Sequence, residues 1–239
     1  MCIENKVECI VIDEMKAYIF YIDINFFELR EVKWLPSSIV KKLNSYIYYN
    51  DRRRMIGGIM TYLYGMLILV YNRDILKLEK DLETILRWKY NIYGKPFVGK
   101  EFNFNISHSG KYALCGFSKN EIGVDIESIN PDYVNIALEF FTKNEALMIM
   151  MEKKDYQAAL FTELWVRKES FIKTVGKGLN MDLASFSFES ISNNLWKVKH
   201  SIDCSKYLVK DIDIADKDYR MAVCCKLDNN DSYIERQII

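Results

Sequence analysis

The sequence has no excess of either charge and little histidine or proline, and each shortage excludes a class of protein. Its 33 Lys and Arg residues balance 33 Asp and Glu residues, which argues against a general nucleic-acid binder because such domains carry a basic excess. Only 3 prolines and 10 glycines occur in 239 residues, so long disordered tracts are not expected. Two histidines, His108 and His200, are too few for a histidine-rich metal site.

The sequence also lacks a CxxC motif and a secretory signal. The 6 cysteines lack the CxxC spacing of a zinc site or redox motif. The first residues, MCIENKVECIVIDE, lack the basic start and apolar centre of a signal peptide. We therefore expect a cytoplasmic protein with reduced thiols.

One uncharged run is long enough to test for a membrane span. Residues 55–71, MIGGIMTYLYGMLILVY, are 17 residues without a charge, which is the lower limit for a span. The run contains three glycines, has charged residues on both sides and has no second example in the chain. Its length and flanks favour a buried core helix, and we expect no membrane partner.

Hydrophobic periods predict a chain of mixed α+β class. Strands are expected before residue 35, helices over 36–90, strands over 102–127, and further strands over 183–226. The order strand, helix, strand occurs twice, and KYALCGFSKN at 111–120 loosely resembles YRMAVCCKLDNN at 219–230. The pattern predicts two similar α+β halves joined near residue 120.

The clearest helix is predicted over residues 155–176. Asp155 suits the N-cap, and Gly176 suits the position after the last turn. Apolar residues recur at spacings of three and four between them, so one face should pack on a core. Further helix starts are predicted at Asn130, before a proline, and at Thr142, where Glu145 would form a capping box.

Two motifs resemble known catalytic sites but lack an essential part. GKPFVGK at 94–100 has the spacing of a P-loop, but Glu101 stands where a magnesium-binding Ser or Thr is required. Ser107 and His108 are adjacent on an extended segment, so their side chains should point to opposite faces. No third residue is identifiable to orient the imidazole. We reject the P-loop and keep a Ser/His hydrolase as a minor alternative.

The segment IGVDIES at 122–128 indicates a metal site. Aliphatic residues alternate with Gly123, Asp125 and Glu127, so a strand would project both carboxylates from one face. Carboxylates about 7 Å apart can converge on a hard cation, and oxygen ligands favour Mg²⁺ or Mn²⁺ over zinc. The alternation by itself favours a simpler interpretation, which is a half-exposed strand with a polar outer face.

The segment LWVRKESFIK at 164–173 adds a third carboxylate. Trp165, Glu169 and Lys173 are four residues apart and share one helical stripe. A carboxylate beside a buried stripe needs a partner, and a metal ion shared with Asp125 and Glu127 would be one.

Four sequence blocks together resemble the 4′-phosphopantetheinyl transferases of the surfactin-synthetase-activating type. The blocks are GKP at 94–96, FNISHSGKYALCGF at 104–117, GVDIE at 123–127 and LWVRKESFIKTVGKGL at 164–179. The resemblance covers about residues 90–226. It implies two pseudo-symmetric α/β halves, each a small antiparallel-rich sheet packed on a long helix, with the active site in the cleft between them. Residues 1–122 would bind the nucleotide end of coenzyme A, and residues 123–239 would carry the metal site and catalytic helix.

The resemblance also implies a reaction. Phosphopantetheine would pass from coenzyme A, the co-substrate, to a serine of an acyl or peptidyl carrier domain, leaving 3′,5′-bisphosphoadenosine. We expect a Mg²⁺- or Mn²⁺-dependent monomer whose partner is the carrier protein. Two alternatives remain: an inactive coenzyme A binding or carrier-docking protein of the same fold, and a metal-dependent phosphoesterase that uses the same carboxylates.

Individual roles follow from the same resemblance. Asp125, Glu127 and Glu169 would hold the metal, and Glu169 would help deprotonate the carrier serine directly or through water. Lys173 would stabilise charge on the phosphate or the leaving group. The remaining contacts to coenzyme A are assigned to Lys42, Arg54, Lys95, Ser107 and His108 at the nucleotide end and to Lys168 at the pyrophosphate.

Overall fold

The structure is a computed structural model that describes residues 6–29, 35–98 and 102–228. Lys100 and Glu101, on which the P-loop argument depended, lie outside the described residues, as do residues 229–239 of the predicted second half. The chain divides into two compact units, Met1–Ile92 with Pro96–Lys119, and Tyr93–Lys95 with Asn120–Ile239. The functions assigned to the two halves stay predictions.

The first unit is a four-stranded antiparallel sheet with one long helix packed on it. Its strands lie in the order β1-β2-β6-β5. They are β1 (Glu8–Ile12), β2 (Ala17–Asp23), β5 (Asn103–Ser109) and β6 (Tyr112–Ser118), and a small ribbon pairs β3 (Lys89–Tyr90) with β4 (Pro96–Phe97). The helices are α1 (Ser37–Ser45), α2 (Tyr49–Leu69) and α3 (Ile75–Ile85).

The uncharged run at residues 55–71 forms most of α2, which packs on this sheet. A Cβ atom at Gly58 would lie 2.8 Å from Cγ2 of Ile106, and one at Gly65 would lie 2.2 Å from the ring of Phe117. The absence of a side chain lets the helix approach the strands this closely. The predicted core helix is confirmed. Within the three described ranges, no helix is both long and apolar enough to cross a membrane.

The second unit is a five-stranded antiparallel sheet, again with one long helix. Its strand order is β7-β11-β10-β9-β8. The strands are β7 (Ile122–Ser128), β8 (Ser187–Ser192), β9 (Leu195–Lys199), β10 (Tyr207–Ile212) and β11 (Tyr219–Lys226), and the helices are α4 (Ile136–Phe140), α5 (Lys143–Met151) and α6 (Lys154–Val175). Helix α6 packs on β7 and β11. Two halves, each an antiparallel sheet on a long helix, confirm the predicted fold class.

The predicted helix ends are partly correct. Gly176 follows α6 with a φ of 75°, as predicted, and its N–H donates to the carbonyl of Ile172. Helix α6 begins at Lys154, however, so Asp155 lies in the first turn and is not the N-cap. A negative charge is still favourable there because it faces the positive end of the helix dipole.

Two shorter segments also differ in type from the prediction. Asn130 accepts a hydrogen bond from the N–H of Asp132, but it opens only a 3-10 turn, Pro131–Tyr133. Leu183–Ser185 is likewise a 3-10 turn where a strand was predicted. The capping box at the start of α5 is confirmed, with reciprocal hydrogen bonds between Thr142 and Glu145.

Candidate functional site

Strand β7 and helix α6 carry the charged cluster of the second unit, and their backbones approach closely. A Cβ atom at Gly123 would lie 2.1 Å from the carbonyl oxygen of Ser170 and 2.4 Å from the amide nitrogen of Thr174. Only glycine fits at this point of contact. Asp125 is two residues further along the strand and therefore faces α6 as well.

This contact predicts that Gly123→Ala destabilises the protein. The obstacle to the new methyl group is helix backbone, which cannot rotate away, so we expect a loss of about 1–3 kcal/mol. Urea unfolding measures the change. Gly58→Ala is the matched control, because its methyl group would meet a side-chain atom, Cγ2 of Ile106, at 2.8 Å and no strand backbone within 4 Å, and it should lose less. Equal losses in the two variants would contradict the steric argument.

Asp125 lies in the interior and pairs with a lysine of α6. Its side chain is 2 % exposed, and its Oδ1 atom accepts a hydrogen bond of 2.6 Å from Nζ of Lys173. The Lys173 ammonium also lies 3.3 Å from the carbonyl oxygen of Val124. Strand β7 is buried at every position from 122 to 126. The interpretation as a half-exposed strand with a polar outer face is therefore wrong, because α6 covers that face.

Glu169 belongs to the same cluster, and its surroundings disfavour the ionised carboxylate. Its Oε1 atom is buried and has no hydrogen-bond partner. Burial raises the pKa of Glu169, the charge of Asp125 raises it further, and the charge of Lys173 opposes both effects. A buried carboxylate oxygen without a partner is unfavourable, and a bound cation would satisfy it.

Glu127 is less deeply buried than Asp125. It is half-buried and lies opposite Arg220 in the pairing of β7 with β11. In the part of the chain that the structure describes, no three Asp, Glu, His or Cys side chains come close enough together to hold a metal ion. The Lys173 ammonium lies against Asp125. The metal assignment of Asp125, Glu127 and Glu169 stays a prediction.

Lys168 is fully buried, with 0 % of its surface exposed. Its ammonium donates to Oε2 of Glu145 at 2.9 Å and to the carbonyls of Leu183 at 2.8 Å and Phe186 at 3.1 Å. Three aromatic rings surround it, those of Phe141, Phe186 and Phe188. Burial lowers the pKa of Lys168, and Glu145 opposes that shift. The pyrophosphate contact of Lys168 that the resemblance implied stays a prediction.

Sequence reasoning missed the second role of Glu145. The capping box identified this residue as the partner of Thr142, and the same Oε2 atom also accepts from Lys168. The two partners lie on different helices, and no spacing rule connects them. A glutamate that is 8 % exposed needs such a cation.

Lys95 belongs to the second unit, although it was assigned to the nucleotide end. Its Nζ atom donates to the carbonyl of Ile122 at 3.0 Å and to that of Thr174 at 3.0 Å. Burial lowers the pKa of Lys95 to about 8. The structure therefore does not group Lys95 with the nucleotide-end residues of the first unit.

Arg54 and His108 lie at one end of the first sheet. Arg54 pairs with Asp51 and donates to the carbonyl of Gly110 at 3.0 Å, in the turn between β5 and β6. His108 is exposed and pairs with Ala113 in the sheet. Ala113 in turn lies against α2 at Gly57, about one helical turn after Arg54. The arrangement puts two basic side chains on one side of this sheet.

The other two nucleotide-end residues have different surroundings. Ser107 is 6 % exposed, whereas its neighbour His108 is exposed. The two therefore point to opposite faces, which contradicts a Ser/His catalytic pair. Lys42 is exposed on α1, with its Nζ atom 6.0 Å from the centre of the Tyr90 ring.

Comparison with known proteins identifies the family. Residues 121–224 match the profile of the 4′-phosphopantetheinyl transferase superfamily. The chain is 30% identical over 217 residues to the 4′-phosphopantetheinyl transferase Sfp of Bacillus subtilis (strain 168), which covers 88% of this chain and 92% of that protein. It is 37% identical over 141 residues to the transferase gsp of Aneurinibacillus migulanus, covering 59% of this chain and 56% of that protein. It is 40% identical over 141 residues to the transferase ffp of Bacillus subtilis, covering 58% and 62%. The chain therefore belongs to the 4′-phosphopantetheinyl transferase family, of the surfactin-synthetase-activating type that its four sequence blocks predict.

Proposed function

We propose that this protein transfers the 4′-phosphopantetheine group of coenzyme A to a serine of an acyl or peptidyl carrier domain. The carrier changes from its apo to its holo form, and adenosine 3′,5′-bisphosphate is released. The observation that carries the proposal is the cluster of the buried Asp125 with the half-buried Glu169 and Lys173, whose charges interact. It lies within the residues that match the family.

The reaction is a displacement at phosphorus. The serine Oγ atom forms a bond to the phosphorus that bears pantetheine, the bond from that phosphorus to the bridging pyrophosphate oxygen breaks, and the serine loses its proton. Such a reaction needs positioning and positive charge more than covalent help from the protein. Lys173 supplies a positive charge whose position is set by Asp125, 2.6 Å away.

Glu169 accepts the serine proton, directly or through one water. A general base works best when its pKa lies near the working pH. Burial and the charge of Asp125 both raise the pKa of Glu169 toward that range. The same two effects make its carboxylate costly to leave ionised without a cation.

Asp125, Glu127 and Glu169 would hold Mg²⁺ or Mn²⁺. Carboxylate oxygens are the ligands that such hard cations prefer, and the buried Oε1 atom of Glu169 has no hydrogen-bond partner. Bound there, the metal would supply positive charge against the pyrophosphate oxygens.

The nucleotide end of coenzyme A would be bound by the first unit. Arg54 and His108 lie at one end of its sheet, and arginine suits phosphate because its planar group can donate two parallel hydrogen bonds. His108 would act on the 3′-phosphate, with Ser107 and the exposed Lys42 as further contacts. The protein is proposed to act as a cytoplasmic monomer.

Mass spectrometry of a carrier domain tests the function and its need for metal. We expect a phosphopantetheine mass gain with coenzyme A and Mg²⁺, an equal amount of adenosine 3′,5′-bisphosphate, and no gain in EDTA or on a carrier whose serine is replaced by alanine. No gain on fatty-acid, polyketide or nonribosomal-peptide carriers would contradict the proposal and indicate an inactive coenzyme A binding protein. Release of the nucleotide without any carrier would indicate a phosphoesterase.

A further inference from the structure

The ammonium group of Lys95 connects the two elements that carry the charged cluster. Its acceptors are the carbonyl of Ile122, the first residue of β7, and the carbonyl of Thr174, in the last turn of α6. Both distances are 3.0 Å. Strand β7 carries Asp125 and helix α6 carries Lys173, so one side chain holds both elements close to the pair that they form.

The contact to α6 has a clear physical basis. The last four carbonyls of an α-helix have no partner within the helix. The N–H of Gly176 donates to the carbonyl of Ile172 at 2.8 Å, and Lys95 donates to that of Thr174. A cation at this end is also favoured by the helix dipole. Burying an ammonium is costly without hydrogen bonds, and burial does lower the pKa of Lys95.

We propose that Lys95 is a positioning residue for transfer, which clamps β7 to the last turn of α6 and so keeps Lys173 aligned with Asp125. Thr174 directly follows Lys173, and Ile122 lies three residues before Asp125. A shift at either end of the clamp therefore moves one member of the 2.6 Å pair. The proposal rests on the proposed function, and it replaces the nucleotide contact that the resemblance implied for Lys95.

Other contacts keep the fold intact when the clamp is removed. The Thr174 hydroxyl lies 3.0 Å from the carbonyl oxygen of Cys224 on β11. Gly123 keeps β7 against the α6 backbone. The expected effect of losing Lys95 is therefore a local loosening of the last helical turn, with the sheet retained.

The test compares Lys95→Met with Lys95→Arg and with Lys89→Met, which replaces an exposed lysine of β3. Hydrogen–deuterium exchange of the ligand-free protein should be faster at the amides of residues 173–176 in Lys95→Met only. With a carrier domain, kcat should fall by about 10- to 100-fold, as for other supporting residues, while the Kd for coenzyme A stays unchanged. Lys95→Arg, which keeps the cation, should recover part of the kcat.

Two other outcomes would contradict the positioning role of Lys95. Weaker coenzyme A binding with unchanged kcat would show a nucleotide contact and overturn the clamp. A lower melting temperature with unchanged exchange and kcat would show a purely structural role and also overturn it. If Lys95→Met does not fold, Lys95→Gln, which keeps a hydrogen-bond donor, undergoes the same measurements. A wild-type protein without transfer activity would refute the proposed function, and the exchange comparison would still decide the clamp.

Discussion

Glu169→Gln should lower transfer by orders of magnitude and, in the absence of metal, make the folded protein more stable at neutral pH. The Glu169 pKa is raised in the folded state by burial and by Asp125, so the folded state binds this proton more tightly than the unfolded state does. Its contribution to stability is fully present below the ordinary glutamate pKa and is lost as pH rises through the raised value. A glutamine has no proton to lose, so the variant avoids that loss.

Urea unfolding at several pH values, in EDTA, measures the difference. The advantage of Glu169→Gln should be absent in acid, grow between the ordinary and the raised pKa, and stay constant above. Transfer should fall by about 10²- to 10⁴-fold, which is the range for losing a general base. Glu139→Gln, at an exposed position of α4, is the control and should change neither quantity. Retained transfer, or a stability difference that does not depend on pH, would contradict the assignment.

Lys168→Met should destabilise the protein by about 3–5 kcal/mol, because removal of one partner leaves the other as an uncompensated buried charge. Here that partner is Glu145, which is 8 % exposed and has one oxygen, Oε1, without a hydrogen-bond partner. Chemical unfolding measures the loss, and Lys89→Met, at an exposed lysine, gives the baseline for a lysine replacement. A loss no greater than that baseline would contradict the buried ion pair.

A second substitution separates an interior role of Lys168 from a contact with coenzyme A. Glu145→Gln removes the charge but keeps the capping box, since glutamine serves at that position. Combined with Lys168→Met it should recover most of the lost stability, because neither charge is then left alone. Transfer should recover together with stability. A double variant that is stable but inactive would instead support the contact between Lys168 and the pyrophosphate that the resemblance implied.

The predictions that succeeded rest on short-range regularities of the chain. Alternation over residues 122–128 defines β7, and spacings of three and four define α6, because strands and helices repeat their side-chain directions within a few residues. The capping box of Thr142 and Glu145 depends on residues three positions apart. The start of α6 was misplaced because local signals locate a helix end only to within about one or two residues.

The contacts within the cluster of Asp125, Glu169 and Lys173 could not be predicted from local sequence patterns. The period of β7 correctly placed Asp125 and Glu127 on one face, but it could not show what covers that face. Helix α6 covers it, so Asp125 is 2 % exposed and pairs with Lys173, 48 residues away in the chain. The spacing of Glu169 and Lys173 placed them on one stripe of α6, and the pairing of Lys173 with β7 appears only when strand and helix pack.

The sequence by itself determined the family, the two α+β halves and the strand and helix that carry the proposed metal ligands. All of these depend on residue order and on periods of two to four residues. Only the tertiary structure decided the partners of Lys95 and Lys168. The carbonyls that accept from Lys95 lie 27 and 79 residues away in the chain, and those that accept from Lys168 lie 15 and 18 residues away. A buried ammonium takes whichever carbonyls and carboxylates the packed elements bring to it, and that choice has no counterpart in local spacing.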